Sequence, residues 1–153
     1  MHRYLDPTND ISFLKLFGTE EHKPLLISFL NSILQLEGDR KIKQVELLPK
    51  SQAPIIKDAK LTVLDIKCTD QRNFQYIVEM QNRSVPGFVK RAQFYAAHSY
   101  VTQLAAGSSY VSLKPVILLA ITNHVLFPQK EDDHVISYYK TLDTKTQSNE
   151  LAD

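Results

Sequence analysis

Cysteine is nearly absent from this chain: Cys68 stands alone among 153 residues. No disulfide can form within it, and one thiol cannot build a cysteine-rich zinc site. Tryptophan is missing, so Tyr and Phe carry all the aromatic content. A dominant charge is missing too, since 18 Lys and Arg against 17 Asp and Glu leave +1. That balance neither supports nor excludes a nucleic-acid partner. The longest apolar run, Val116 to Ile121, is far too short to cross a bilayer. The opening residues, Met1-His2-Arg3-Tyr4-Leu5-Asp6-Pro7, lack the apolar core of a signal peptide. There is no Gly-rich phosphate loop and no Gly-x-Ser-x-Gly turn, which argues against nucleoside triphosphate hydrolysis and serine-hydrolase chemistry. The five histidines show no ligand spacing. These absences predict a reduced, cytoplasmic protein with no membrane partner and no small-molecule cofactor.

What is present suits a folded domain. The hydrophobic fraction is 43%, and a chain of this length buries roughly two thirds of its unfolded surface. One domain over residues 1–153 is expected. Lys41, Lys43, Lys50, Lys57 and Lys60 form one basic group, and Arg83, Lys90 and Arg91 a second. The acids gather late, at Glu131-Asp132-Asp133 and at the tail.

The spacing predicts a helix after the capping residues Thr8-Asn9-Asp10, with Ile11, Leu14 and Phe17 on one face and Gly18 at its end. A second helix starts near Pro24, presents Leu26, Leu30, Ile33 and Leu34, and ends at Gly38. Gln44 to Leu48 reads as a short strand and Pro49 to Lys60 as a loop. Leu61 to Cys68 and Phe74 to Met80 read as a β-hairpin around the polar turn Thr69-Asp70-Gln71-Arg72-Asn73. A long helix is predicted from Gly87 to about Ala106, lying on the sheet through Phe88, Ala92, Tyr95, Ala96, Ser99 and Gln103, with Gly107 as its cap. Val116 to Ile121 reads as a strand buried on both faces, and Val135 to Tyr139 as one more strand. The order implies an α/β layout with a mixed sheet.

The hairpin places chemistry. With its turn centred on Arg72, Asp65 falls opposite Glu79, and Val63 opposite Gln81. Side chains alternate along a strand, so Glu79 and Gln81 share a face, and Asp65 meets Glu79 on it. Facing carboxylates repel and destabilise a sheet unless something positive lies between them. A hard cation such as Mg2+ suits that place, and the main-chain carbonyl of Met80 could add an oxygen. The alternative is ion pairing of the two acids with Lys67, Arg91 or a lysine of the 50–60 loop.

The runs Leu64-Asp65-Ile66-Lys67 and Ile77-Val78-Glu79-Met80-Gln81 resemble the core of PD-(D/E)xK nucleases, and more narrowly their Rpn/transposase-like branch. The stretches Asp10 to Gly18 and Phe29 to Leu34, then Arg91, Tyr95, Tyr100, Gln103-Leu104, Gly107, Tyr110 and Pro115-Val116, continue the similarity in order. The resemblance implies a restriction-endonuclease-like fold, a central mixed sheet flanked by helices, that cuts DNA with Mg2+ or Mn2+. It implies Asp65, Glu79 and Gln81 as catalytic residues, with the metal on Asp65, Glu79 and Met80. Gln81 stands where the superfamily usually has lysine, and the Rpn-like branch carries Gln there. A lysine can orient water and stabilise negative charge, whereas a glutamine can orient water only. Replacing Gln81 by Lys is expected to keep activity if the geometry matches. Members of the branch usually continue past Asp153, which implies a shortened copy or fragment.

Four more residues are auxiliary candidates. Arg91 could reach a phosphate or the acidic pair, or be a surface arginine, and Tyr95 lies beside it. Gln103 falls inside an apolar face, so it needs a partner in the site or on the main chain. Asp10 could assist the metal or simply cap a helix. Two functional readings follow. The first is a metal-dependent DNA endonuclease. The second is an inactive, shortened nuclease-fold module that binds DNA or a partner copy, as in a homodimer.

Overall fold

The computed structural model describes residues 6–53, 62–128 and 134–149. Lys57, Lys60, Leu61, the acids 131–133 and the tail at 151–153 lie outside the described residues. The elements run in the order α1 (Asp10–Phe17), α2 (Lys23–Ile33), β1 (Val45–Leu47), β2 (Ser51–Gln52), β3 (Thr62–Val63), β4 (Ile66–Asp70), β5 (Gln75–Gln81), α3 (Phe88–Val101) and β6 (Val116–Thr122).

Four strands form a mixed sheet in the order β1-β4-β5-β6. The β1–β4 and β4–β5 pairs are antiparallel, and β5–β6 is parallel. A parallel neighbour needs a crossover, and α3 supplies it between β5 and β6. This is the expected α/β architecture. The β4–β5 turn is held by Asp70. Its carboxylate accepts from the main-chain N–H groups of Arg72 and Phe74 and pairs with the Arg72 guanidinium at 2.6 Å. Asn73 takes the left-handed conformation there, at φ 64°.

The two sheet faces are separated by strand alternation. Tyr76, Val78 and Met80 join Phe13, Leu26, Leu30, Ile66 and Cys68 in a core under α1 and α2. Ile77 faces the other way and packs with Tyr95 of α3, Leu64, Val116 and Leu118. Glu79 and Gln81 are in phase with Ile77, so they look toward α3.

Several sequence expectations are corrected. The α1 cap is Asn9, whose side chain accepts from the N–H groups of Ile11 and Ser12. Leu14 and Phe17 pack on the core as expected, but Ile11 is exposed and Phe13 is buried in its place. The second helix stops at Ile33, not Gly38, because Gln35 adopts a left-handed φ of 50°. Ser51–Gln52 are a strand within the expected loop, pairing with Thr62–Val63. That pairing draws Val63 opposite Ser51 and away from Gln81, and it breaks the expected Leu61–Cys68 strand at Leu64-Asp65. α3 ends at Val101, where the Thr102 hydroxyl donates to the His98 carbonyl, and Gly107 lies beyond it in a turn. Its buried residues are Phe88, Tyr95, His98 and Ser99, with Ala92 and Ala96 half-buried. β6 is half-buried along its whole length, because among the described strands it is the sheet edge. Val135 to Tyr139 form no strand.

Candidate active site

The hairpin register fixes the site. Ile66 pairs with Val78, so continuing the ladder by one residue sets Asp65 opposite Glu79. β4 has already ended there. In place of ladder bonds the two carboxylates clasp the opposite backbone. Asp65 Oδ2 accepts from the Met80 N–H at 2.8 Å, and Glu79 Oε1 accepts from the Asp65 N–H at 3.1 Å. The strand break between Val63 and Ile66 is therefore what swings the Asp65 carboxylate onto β5.

The clasp brings two negative groups together under cover. Glu79 is buried and Asp65 half-buried. Burial, reinforced by the Asp65 charge, pushes the Glu79 carboxyl up to about 7, against the pull of the Asp65 N–H and the Arg91 guanidinium. Burial also raises Asp65, with the Met80 N–H opposing and the Asp10 charge adding to the rise. The ion pairs among the described residues, Lys23–Glu20 and Arg72–Asp70, do not touch either acid. Lys67 and Arg91 thus form no direct ion pair with the two acids, and neither does any other described residue.

Gln81 is fastened at both ends of its amide. Oε1 accepts from an Arg91 terminal nitrogen at 2.5 Å, and Nε2 donates to the Arg83 carbonyl at 2.7 Å. The Arg91 guanidinium also lies over two rings, 5.2 Å from the Phe88 centroid and 6.0 Å from that of Tyr95. The structure thus gathers Asp65, Glu79, Gln81, Arg91 and Tyr95 on the α3 side of the sheet. The Met80 N–H points toward Asp65, and its carbonyl leaves the strand on the same side by the ordinary alternation of a ladder.

The sequence pattern of the PD-(D/E)XK nuclease family transposases matches residues 7–153. The chain belongs to that family. No curated protein and no solved structure matches it. For a PD-(D/E)XK transposase the clasped hairpin is the natural place to look for chemistry, since its acids sit at the end of the central strand pair. Nucleases of this superfamily generally work with a divalent metal. The donor set here fits a hard cation. It is all oxygen, it carries two carboxylates that repel without one, and Asp65 Oδ1 and Glu79 Oε2 lie outside the clasp bonds. No cluster of three or more His, Cys, Asp or Glu side chains suited to a metal forms among the described residues. Among the described residues, the groups that converge here are two acids and main chain.

The remaining candidates separate. Asp10 is an exposed first-turn residue of α1; the cap next to it is Asn9, and its charge bears on Asp65. Gln103 is taken by main chain, donating to the Lys114 carbonyl and accepting from the Lys114 N–H, both at 2.9 Å. One contributor to the candidate site was not legible beforehand. The Arg83 carbonyl that anchors Gln81 carries no side-chain signature. Lys50, whose charge lowers Asp65, is one of the 50–60 lysines that the sequence offered as partners of the acids.

Proposed function

We propose that this chain is a Mg2+-dependent DNA endonuclease, with Mn2+ able to replace Mg2+. Asp65, Glu79 and the Met80 carbonyl would hold the ion. The observation that carries the reading is the Asp65–Glu79 clasp: two converging carboxylates, one of them buried, with no direct cationic side-chain partner among the described residues. When bound, the ion supplies charge neutralisation at the scissile phosphate and a more acidic water. The Met80 N–H fixes the Asp65 rotamer, and the Asp65 N–H fixes that of Glu79. Gln81 retains one amide hydrogen beyond its bond to Arg83, enough to orient the attacking water.

Supercoiled plasmid tests the reading. Wild-type protein is expected to nick it with Mg2+ or Mn2+ and not with EDTA, and Asp65→Ala to abolish nicking. Gln81→Ala should slow it less, by about 10²–10⁴ for a lost water-positioning group. If clean wild-type protein nicks with neither metal, a non-cutting module that binds DNA or a second copy takes the place of the endonuclease. Nicking by Asp65→Ala equal to wild type would move the site elsewhere.

A further inference from the structure

Gln81 lacks the charge that a lysine would bring, yet the structure places a cation against it. Arg91 reaches from the first turn of α3 to Gln81 Oε1. The face of its guanidinium is covered by Phe88 and Tyr95, which restricts it to the plane facing the sheet. Tyr95 is itself buried against Ile77, two residues before Glu79 on the same face. The bond to Gln81 uses one of the five guanidinium donors. The buried Nε–H has no partner among the described residues. Gln81 in turn cannot swing away, because its own amide nitrogen is tied to the Arg83 carbonyl. A charged group has been fixed beside the acidic pair with donors to spare, and planar guanidinium donors match phosphate oxygens.

We infer that Gln81 and Arg91 act as one unit. Gln81 is a positioning residue that holds the guanidinium, and Arg91 delivers the positive charge to a DNA phosphate at this site. The inference rests on the nuclease reading for the identity of the anion, and it explains why residue 81 is not lysine. An ammonium at 81 would meet the Arg91 guanidinium at hydrogen-bond range. Gln81→Lys alone is therefore not the benign change that the superfamily pattern suggests. The charge can stand on the strand or on the helix, but not on both.

The test compares wild type with Gln81→Lys, Arg91→Gln, Arg91→Lys and the double variant Gln81→Lys/Arg91→Gln. Melting is read in EDTA without DNA. Affinity for a fluorescein-labelled DNA duplex is read in Ca2+, and nicking in Mg2+. Gln81→Lys should melt below wild type, and adding Arg91→Gln should recover most of that loss. Arg91→Gln alone should weaken duplex binding about tenfold, the scale of one charged hydrogen bond, while Arg91→Lys retains part of it and the double variant restores it. Two results would overturn the inference: duplex binding by Arg91→Gln equal to wild type, or a Gln81→Lys protein as stable as wild type whose melting Arg91→Gln does not raise. The two readings fail separately. Arg91-dependent duplex binding without any nicking removes the endonuclease and keeps the unit as a phosphate clamp. Nicking and binding unchanged in Arg91→Gln keep the endonuclease and remove the unit.

Discussion

Glu79 bears a charge that folding disfavours. In the unfolded chain its carboxyl ionises near 4.5, and in the folded chain near 7, chiefly through burial and then through Asp65. Between those values the folded state holds a proton that the unfolded state has lost. Its contribution to stability is therefore full below about pH 4.5 and declines as pH rises to 7, by about 1.4 kcal/mol per unit at the steepest. Metal-free protein in EDTA should melt lower at pH 8 than at pH 5. Glu79→Gln has no proton to lose, so it should flatten that trend. Added Mg2+ should raise the melting temperature most at pH 8, where both acids are ionised and ready to bind it. A wild-type decline that Glu79→Gln leaves intact would assign the pH dependence to other groups.

Elements are joined here by side-chain amides that stand in for main chain. The Asn31 amide of α2 bonds both the N–H and the carbonyl of Ile42 at 2.8 Å, and Gln103 does the same to Lys114 just before β6. Removing such a bracket leaves two backbone groups without partners. Gln103→Ala should therefore cost about 1–3 kcal/mol in urea unfolding while leaving metal-dependent nicking by the folded protein unchanged. Nicking lost with stability intact would instead tie Gln103 to the chemistry. These brackets also mark where sequence reading stops. Helix starts, the turn centre at Arg72 and hence the Asp65–Glu79 register were legible, because caps, turn residues and alternation are local. The break at Leu64-Asp65 was not, since it depends on Thr62–Val63 meeting Ser51–Gln52. Nor was the end of α3, because Leu104 to Ala106 contain nothing that forbids a helix. Val135 to Tyr139 is rich in β-branched and aromatic residues like a strand, but its tyrosines are engaged elsewhere, Tyr138 with the Ile33 carbonyl and Tyr139 with the Phe127 ring. The acids of the site could be read because a strand has only two faces. The Arg91–Gln81 bond needed the placement of a helix over a sheet, which no spacing specifies.

On the scale of the whole molecule, a net charge of +1 gives no long-range attraction for DNA. Binding then depends on where the cations stand. The hairpin β4–β5 has described cations at both of its ends. Lys41 and Lys43 are at its turn end, where the Gln71 side chain bonds the Lys41 carbonyl and the Lys43 N–H. Arg83, Lys90 and Arg91 are at its open end with the acidic pair: Arg83 follows β5, and Lys90 and Arg91 sit in the first turn of α3. The ends lie roughly 20 Å apart at the rise of a strand. A duplex whose phosphate reaches Asp65 and Glu79 passes Arg83, Lys90 and Arg91, with Lys50 also close to Asp65, and misses Lys41 and Lys43. Each phosphate contact contributes about 0.9 to the slope of log affinity against log salt. In Ca2+, Arg83→Ala and Lys90→Ala should each flatten that slope by about this amount, whereas Lys41→Ala and Lys43→Ala should leave it alone. The measurement is a salt titration of duplex binding by fluorescence anisotropy. The reverse pattern, with Lys41 and Lys43 setting the slope, would lay the DNA across the turn end and detach it from the Asp65–Glu79 clasp.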